Sequence, residues 1–279
     1  MSGYLPIAEH GLIGDLHSIA LVGTNATIDW YCAPRVDSPS VFGAILDAGK
    51  GGHWRLSPDC AVSTTKQLYF PDTNVLITRF LTPEGVGEIE DFMPVGQTRA
   101  GGAHRQRVVR RVLAVRGSIG FHTEIAPRFD YGRAAHEIDR HEHGVVFRTP
   151  DLSLQLETDV PIELHDGAAR AHFHLQAGES TTFVLETLPP GSNAPAGHTD
   201  AEIAELFERT VAYWRRWLAQ SRYTGRWREM VHRSALTLKL LTYEPTGAII
   251  AAPTTSLPEE LGGERNWDYR YTWIRDAAF

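Results

Sequence analysis

Between Arg265 and Asp276 four large aromatics, Trp267, Tyr269, Tyr271 and Trp273, occupy alternate positions and are interleaved with Asp268, Arg270, Arg275 and Asp276. In an extended chain a spacing of two brings all four rings to one side and the polar groups to the other. A row of rings is a flat apolar surface on which the C–H face of a sugar can lie. The sugar's hydroxyls then call for a forked donor and a paired acceptor, which an adjacent Arg275 and Asp276 supply. The plainer reading is a core strand or helix start carrying an ordinary ion pair, and composition alone leaves both open.

The residues just before this stretch shape its approach. Pro253-Thr254-Thr255-Ser256-Leu257-Pro258-Glu259 and Gly262-Gly263 form a two-proline loop, the type of connection on which a scaffold presents functional groups. Upstream, the spacing predicts a helix from about Arg226 to Tyr243, with Trp227, Val231, Ser234, Ala235, Leu238 and Leu241 on one face and Pro245-Thr246-Gly247 stopping it. A further helix starts at Thr199, which with Glu202 makes a capping box. Its apolar stripe is Ile203, Leu206, Phe207, Thr210, Val211, Trp214, Trp217 and Leu218. At that spacing the two tryptophans are packing residues. The run from Pro189 to Gly197 is rich in proline and glycine and reads as a linker.

Before the linker the chain reads as strands and turns. Leu16 to Val22 and Thr27 to Cys32 flank a hairpin turn, and Val75 to Leu81 returns through Pro83-Glu84-Gly85 into Val86 to Phe92. Val108 to Arg116 and Ile119 to Ala126 surround Gly117-Ser118 and are expected to pair. Leu152, Leu154 and Leu156 alternate with polar residues, as do Ala171, Phe173 and Leu175 with His172 and His174. Ser38-Pro39 reads as the start of a short helix with Val41, Phe42, Ile45 and Leu46 on its apolar face. Many short alternating strands without long helices between them indicate antiparallel sheets packed as a sandwich.

Composition narrows the function. The 279 residues carry 27 Lys and Arg against 34 Asp and Glu, a formal net charge of −7, which argues against nucleic acid or an anionic membrane as partner. Cys32 and Cys60 have no metal-ligand spacing and fit a reduced protein; with no secretory signal visible, a cytoplasmic location is expected. No stretch has the length of a membrane-spanning helix. His172-x-His174 and His141-x-His143 each put two imidazoles on one strand face, but no third ligand is tied to them, so solvated faces are expected and no metal.

Two ordered sets of residues resemble the intracellular bacterial branch of glycoside hydrolase family 15, the glucoamylase and trehalase-like enzymes. Near the start these are Ile7 to Asp15 and Ile28 to Phe42; near the end, Arg233 to Lys239, Pro253 to Glu259 and Gly263 to Asp276. The resemblance implies a sandwich over residues 1–190, a linker and helix over 191–224, and the truncated start of an (α/α)6 catalytic barrel over 225–279. The fold class expected is therefore mainly β with C-terminal helices. It also implies that Arg275 and Asp276 hydrogen-bond the glucose hydroxyls, that Tyr269 packs on the sugar ring and that Trp273 supports the pocket wall. Asn266 and Trp267 would stand behind them.

The reaction implied is removal of one glucose with inversion, by a carboxylic acid and a carboxylate about 6.5–9.5 Å apart. Both carboxyl groups are expected beyond residue 279, so no catalytic residue is assigned within the chain, and no cofactor is implied. The helix pattern after Thr272 has no cap before Phe279 and reads as cut. The resulting expectation is the N-terminal portion of an exo-acting, glucoamylase-like α-glucoside hydrolase acting on a small α-glucoside or oligosaccharide. The alternatives are an α,α-trehalase of the same family and a non-catalytic carbohydrate-binding or structural sandwich module.

Overall fold

The computed structural model describes residues 4–96, 104–192, 197–255, 257, 260 and 262–274. Its strands are β1 (His10–Gly14), β2 (Ile19–Gly23), β3 (Ile28–Cys32), β4 (Ser40–Phe42), β5 (His53–Pro58), β6 (Thr64–Tyr69), β7 (Leu76–Leu81), β8 (Gly85–Phe92) and β9 (Arg107–Ala126). They continue with β10 (Glu137–His141), β11 (Gly144–Arg148), β12 (Ser153–Glu157), β13 (Glu163–His165), β14 (Ala168–Gln176) and β15 (Ser180–Leu188), and a small hairpin of β16 (Thr242–Tyr243) and β17 (Ala248–Ile249). Helical segments are few among the described residues: a 3-10 turn (Ile7–Glu9), a single turn α1 (Phe129–Gly132), then α2 (Asp200–Leu218) and α3 (Arg228–Leu240).

All pairings are antiparallel, and β9 organises them. Its first half lies between β8 and β15, while its second half lies between β5 and β14. One half of the architecture runs β6-β7-β8-β9-β15-β12-β11-β10, and the other adds β1-β2-β3-β5 and β13-β14 to the far end of β9. The expected hairpin at Gly117-Ser118 is therefore not formed. Those two residues are suitable turn chemistry, but the partners of each half are supplied by other strands, so the strand bends and runs on. Gly117 takes φ 75° at the bend, and a side-chain carbon there would meet the Glu84 carbonyl oxygen at 2.0 Å.

One core fills the space between the two halves. Trp54, Phe121, Ile125 and Phe42 reach it from one side and Phe80, Ile89, Phe147, Leu154 and Phe183 from the other, all nearly free of solvent contact. The alternation read in β14 is observed, with Ala171 and Leu175 buried and His172 and His174 exposed. Inside this apolar layer Arg110 and Asp91 form a fully buried pair, Nε to Oδ1 2.8 Å. Arg110 also donates to the carbonyls of Trp54 and Ala26, at 3.0 and 2.6 Å, and lies over the Trp54 ring. Each guanidinium nitrogen thus meets at least one acceptor, the condition under which a buried charge is tolerated.

The helix expected after Ser38-Pro39 is instead β4, where Tyr31 faces Phe42, followed by turns from Gly43. The segment is only three residues long before Gly43, and the sheet edge at β3 offers it ladder partners that an isolated helical turn lacks.

The capping box of α2 is present in full, and Asp200 and Glu202 lie in its first turn with Arg215 and Arg216 in its last. His198, just before it, is tied to Glu157 by backbone and side chain. The buried stripe Ile203, Val211, Trp214 and Leu218 lies on the outside of the sandwich, against Phe92, Val109 and Val184 and then against Leu16 and Val95. In α3 the buried residues are His232, Leu236 and Leu240. The face expected from the sequence is split: Trp227 and Leu238 are each more than half exposed and Ser234 is also exposed, whereas Val231 is half-buried and Ala235 and Leu241 pack against buried clusters. Both faces are apolar enough to be buried. The one turned inward also carries Arg233, which lies over the Tyr69 ring at 3.9 Å and donates to the Thr73 carbonyl at 2.8 Å.

Candidate functional site

The stretch that opened the sequence reading is described as far as Ile274; Arg275 and Asp276, the residues expected to hold the sugar hydroxyls, lie outside the described residues. What precedes them is held to the residues that follow the β16–β17 hairpin, and through them and Arg270 to the sandwich. The amides of Ala251 and Ala252 donate to the carbonyls of Tyr271 and Tyr269, at 3.0 and 2.8 Å, and the Thr272 hydroxyl donates to the Ile249 carbonyl. The Trp30 indole on β3 donates to the Pro253 carbonyl at 2.8 Å, fixing the two-proline loop.

Arg270 makes the strongest attachment. It is almost fully buried and closes a bidentate contact on Asp268, Nε to Oδ1 3.0 Å and Nη2 to Oδ2 2.8 Å. The other side of the guanidinium donates to the carbonyls of Val36 and Ser38 and to the Tyr131 hydroxyl, at 3.2, 2.6 and 2.8 Å, and touches Cys32 Sγ at 3.4 Å. Burial opposes the Arg270 charge, but Asp268 and the surrounding acceptors outweigh it and raise its pKa further. Burial likewise pushes the Asp268 carboxyl up, and the bonds from Arg270 more than reverse this, so its pKa lies below the usual carboxylate value. Cys32 is pushed up to about 12 by burial, with Arg270 opposing, and so stays a thiol.

The Tyr131 hydroxyl reaches Arg270 because α1 is a left-handed turn. Asp130, Tyr131 and Gly132 have φ 52°, 56° and 79°. For the two residues with side chains that conformation costs on the order of 1–2 kcal/mol each, and the buried Phe129 anchors the turn.

The four rings do not form a single row. Positions four apart in a strand are about 13 Å apart, yet Tyr269 and Trp273 stack with centroids at 5.1 Å and planes 13° from parallel. The chain bends at Arg270 and Tyr271 to bring them together, while Trp267 and Tyr271 are each more than half exposed. Asn266 donates to the Gly263 carbonyl at 3.0 Å and so braces the loop. The geometry thus pairs Tyr269 with Trp273, keeps Asn266 on the supporting turn, and leaves Trp267 apart from the pair. Sequence reasoning missed Arg270 as the clamp, since its partners at positions 32–38 and 131 are remote in the chain. Its one local signal was Asp268 two residues before it.

Of the two histidine pairs, His172 and His174 lie at the surface as expected, whereas His141 and His143 are half-buried and the His141 Nε2 is enclosed. His172 and His122 approach Asp59 Oδ1 at 3.8 and 2.9 Å on an open strand face, and His174 faces Ser118.

Residues 3–214 match the family model "Trehalase-like, N-terminal", and residues 225–279 match "Glycosyl hydrolases family 15". The chain belongs to the trehalase-like, N-terminal family. It is 36% identical over 281 residues to a protein named trehalase from Thermoplasma volcanium, covering 100% of this chain and 44% of that protein. A protein named trehalase from Mycolicibacterium smegmatis is 38% identical over 297 residues, covering 98% and 44%. One of the same name from Mycobacterium tuberculosis is 36% identical over 296 residues, covering 98% and 43%. The chain therefore spans less than half the length of these relatives. The trehalase-like match takes in the whole sandwich and most of α2, whereas the Arg270 clamp, its Asp268 partner and all six residues expected to meet or support a sugar fall in the family 15 part. The clamp thus joins the two matched regions, because its acceptors at Val36, Ser38 and Tyr131 lie in the trehalase-like part.

Proposed function

We propose that this chain is the N-terminal portion of an inverting α,α-trehalase. The observation that carries the reading is the match along nearly the whole chain to relatives named trehalase. It favours trehalose over the glucoamylase-like reading to which the sequence pattern gave first place. In this reading residues 1–190 are the sandwich, 191–224 the linker and helix, and 225–279 the first part of the helical catalytic barrel.

Arg275 and Asp276 hydrogen-bond the hydroxyls of one glucose unit, Tyr269 packs against its ring, and Trp273 backs Tyr269 through the observed stack. Asn266 and Trp267 support the loop behind them. The sandwich acts as the foundation: Arg270 fixes the conformation of the segment that leads into Arg275 and Asp276, so that the two groups are presented in one geometry. The general acid and base belong to parts of the protein outside this chain. The exposed side of α3, with Trp227, Met230 and Leu238, is the face that neighbouring barrel helices cover.

Trehalose offers a direct test. Its two glucoses are joined through both anomeric carbons, so attack by water with inversion releases one β-glucose while the leaving glucose keeps its α configuration. Full-length protein mixed with trehalose and followed immediately by proton NMR is expected to show equal initial amounts of the two anomers. Two equivalents of α-glucose would refute inversion, and absence of turnover with turnover of maltose would refute trehalose as the substrate.

A further inference from the structure

We propose that Asp15, His17 and His104 form a binding site for one borderline divalent cation, of the zinc or cobalt kind, at the seam between the sandwich and the β16–β17 hairpin. The donor atoms of the three residues lie within 4.8 Å of one another. They come from separate parts of the chain: Asp15 and His17 from the link between β1 and β2, and His104 from the approach to β9. This cluster is remote from the Arg270 clamp in sequence and shares no residue with it.

The carboxylate is set in advance. Asp15 Oδ1 accepts from the backbone amides of His17 and Ser18, at 2.9 and 2.8 Å, and its side chain has no solvent contact. Oδ2 is thereby turned towards the imidazoles and lies 2.9 Å from His104 Nε2. Supporting hydrogen bonds of this kind orient the oxygen that binds a metal. The two imidazoles stack on one another at 3.7 Å with planes 12° apart, and Tyr243 closes the far side of His17 edge-on.

A hydrogen-bonded Asp–His pair accounts for His104 but not for His17. The described bond of the His17 ring is a long one, from Nδ1 to the Asp15 carbonyl at 3.4 Å. A second carboxylate oxygen, Glu244 Oε2, lies 3.9 Å from the same nitrogen. Glu244 is held to this loop by its amide, which donates to the Leu16 carbonyl at 2.9 Å. Leu16 in turn adopts φ 69°, left-handed for a branched side chain, and is buried with Trp214, Leu236 and Leu240. The loop is thus pinned so that Asp15 and His17, on either side of Leu16, point to the same place.

Two nitrogens and one or two carboxylate oxygens are the donor set of zinc and its neighbours, whereas magnesium and calcium take oxygen sets. Ligand atoms around a tetrahedral zinc are roughly 3.3 Å apart for bonds of 2.0–2.1 Å. The donor atoms therefore need to close by about 1.5 Å at most, and the two stacked rings must turn out of parallel so that each points a nitrogen at the cation, a rotation available to partly exposed imidazoles. Glu244 or water completes the coordination. Because Glu244 follows β16, the bound cation would tie the hairpin, and with it α3, to the sandwich.

The test uses full-length protein treated with a chelator and then titrated with Co²⁺ by visible absorption and with Zn²⁺ by calorimetry. One equivalent is expected to bind, with Mg²⁺ failing to compete. His17→Gln and His104→Gln should each weaken binding by more than about 100-fold, while His122→Gln, at the Asp59 surface cluster, leaves it unchanged. As a check that needs no variant, Zn²⁺ should protect His17 and His104 of the wild-type protein from diethyl pyrocarbonate, mapped by peptide mass spectrometry. Absence of a bound equivalent, binding indifferent to both substitutions, or modification of the two histidines at an unchanged rate would each overturn the proposal.

Discussion

Replacing Arg270 by alanine removes a side chain that joins the Arg265–Ile274 segment to Cys32, to the 36–38 loop and to Tyr131 of the sandwich. The carbonyls of Val36 and Ser38 and the Tyr131 hydroxyl each lose a donor, at about 1 kcal/mol apiece. The Asp268 pair adds about 1 kcal/mol, reduced from the buried value because that carboxylate is one-third exposed. Freeing a long side chain returns about 2 kcal/mol of conformational entropy. The net is about 2 kcal/mol, or roughly 30-fold in the equilibrium for local release of the segment. The sandwich core contains none of these residues, so the loss is local and not global. The amides of Ala251 and Ala252 report it, since their acceptors are the carbonyls of Tyr271 and Tyr269. Hydrogen exchange followed by mass spectrometry on full-length Arg270→Ala should show those amides exchanging roughly 30-fold faster, with the amides of β9 unaffected. Arg265→Ala, at an exposed position, should change neither. Wild-type protection at Ala251 and Ala252 in Arg270→Ala would refute the clamp.

Acid should act on the same contact. Asp268 has its folded pKa depressed, so its contribution is complete above the ordinary aspartate value of about 3.9 and is lost as pH falls through the lower folded value. Release of the segment, read from Ala252 exchange corrected for intrinsic rate, should steepen below about pH 4 in the wild type and lose that component in Asp268→Asn; equal profiles would remove Asp268 from the clamp. In the core, Asp91→Ala leaves Arg110 charged and buried and is expected to cost about 3–5 kcal/mol in urea unfolding. The double change Asp91→Leu with Arg110→Met should recover a large part of it. Gly117→Ala combines φ 75° with a 2.0 Å approach to the Glu84 carbonyl and should cost at least about 2 kcal/mol; an unchanged unfolding midpoint would mean that β9 does not bend there as described.

Local signals were legible where local physics decides. The strict alternation in β14, the capping box of α2 and the packing stripe through Trp214 could be read directly, because each depends on neighbours within a few residues. The misreadings occurred where distant partners decide. Gly117-Ser118 has the chemistry of a turn but sits in a strand whose two halves are claimed by β8 and β15 and by β5 and β14. Ser40–Phe42 joins the edge of β3 in place of a helix. In α3 two faces compete, and the position of Tyr69, more than 150 residues away, selects the one bearing Arg233. For the candidate site, the aromatic and charged pattern was visible, but not the bend that stacks Tyr269 on Trp273 nor the role of Arg270, whose acceptors are more than 130 residues upstream.

The most direct measurement is kcat/KM of the full-length protein for α,α-trehalose and for maltose under identical conditions, in the wild type and in Arg275→Ala. The account predicts a preference for trehalose of more than about tenfold, and a loss of orders of magnitude on both sugars in the variant, since a glucose hydroxyl oxygen loses its charged donor. Equal or greater efficiency on maltose, or near-normal trehalose hydrolysis by Arg275→Ala, would contradict it.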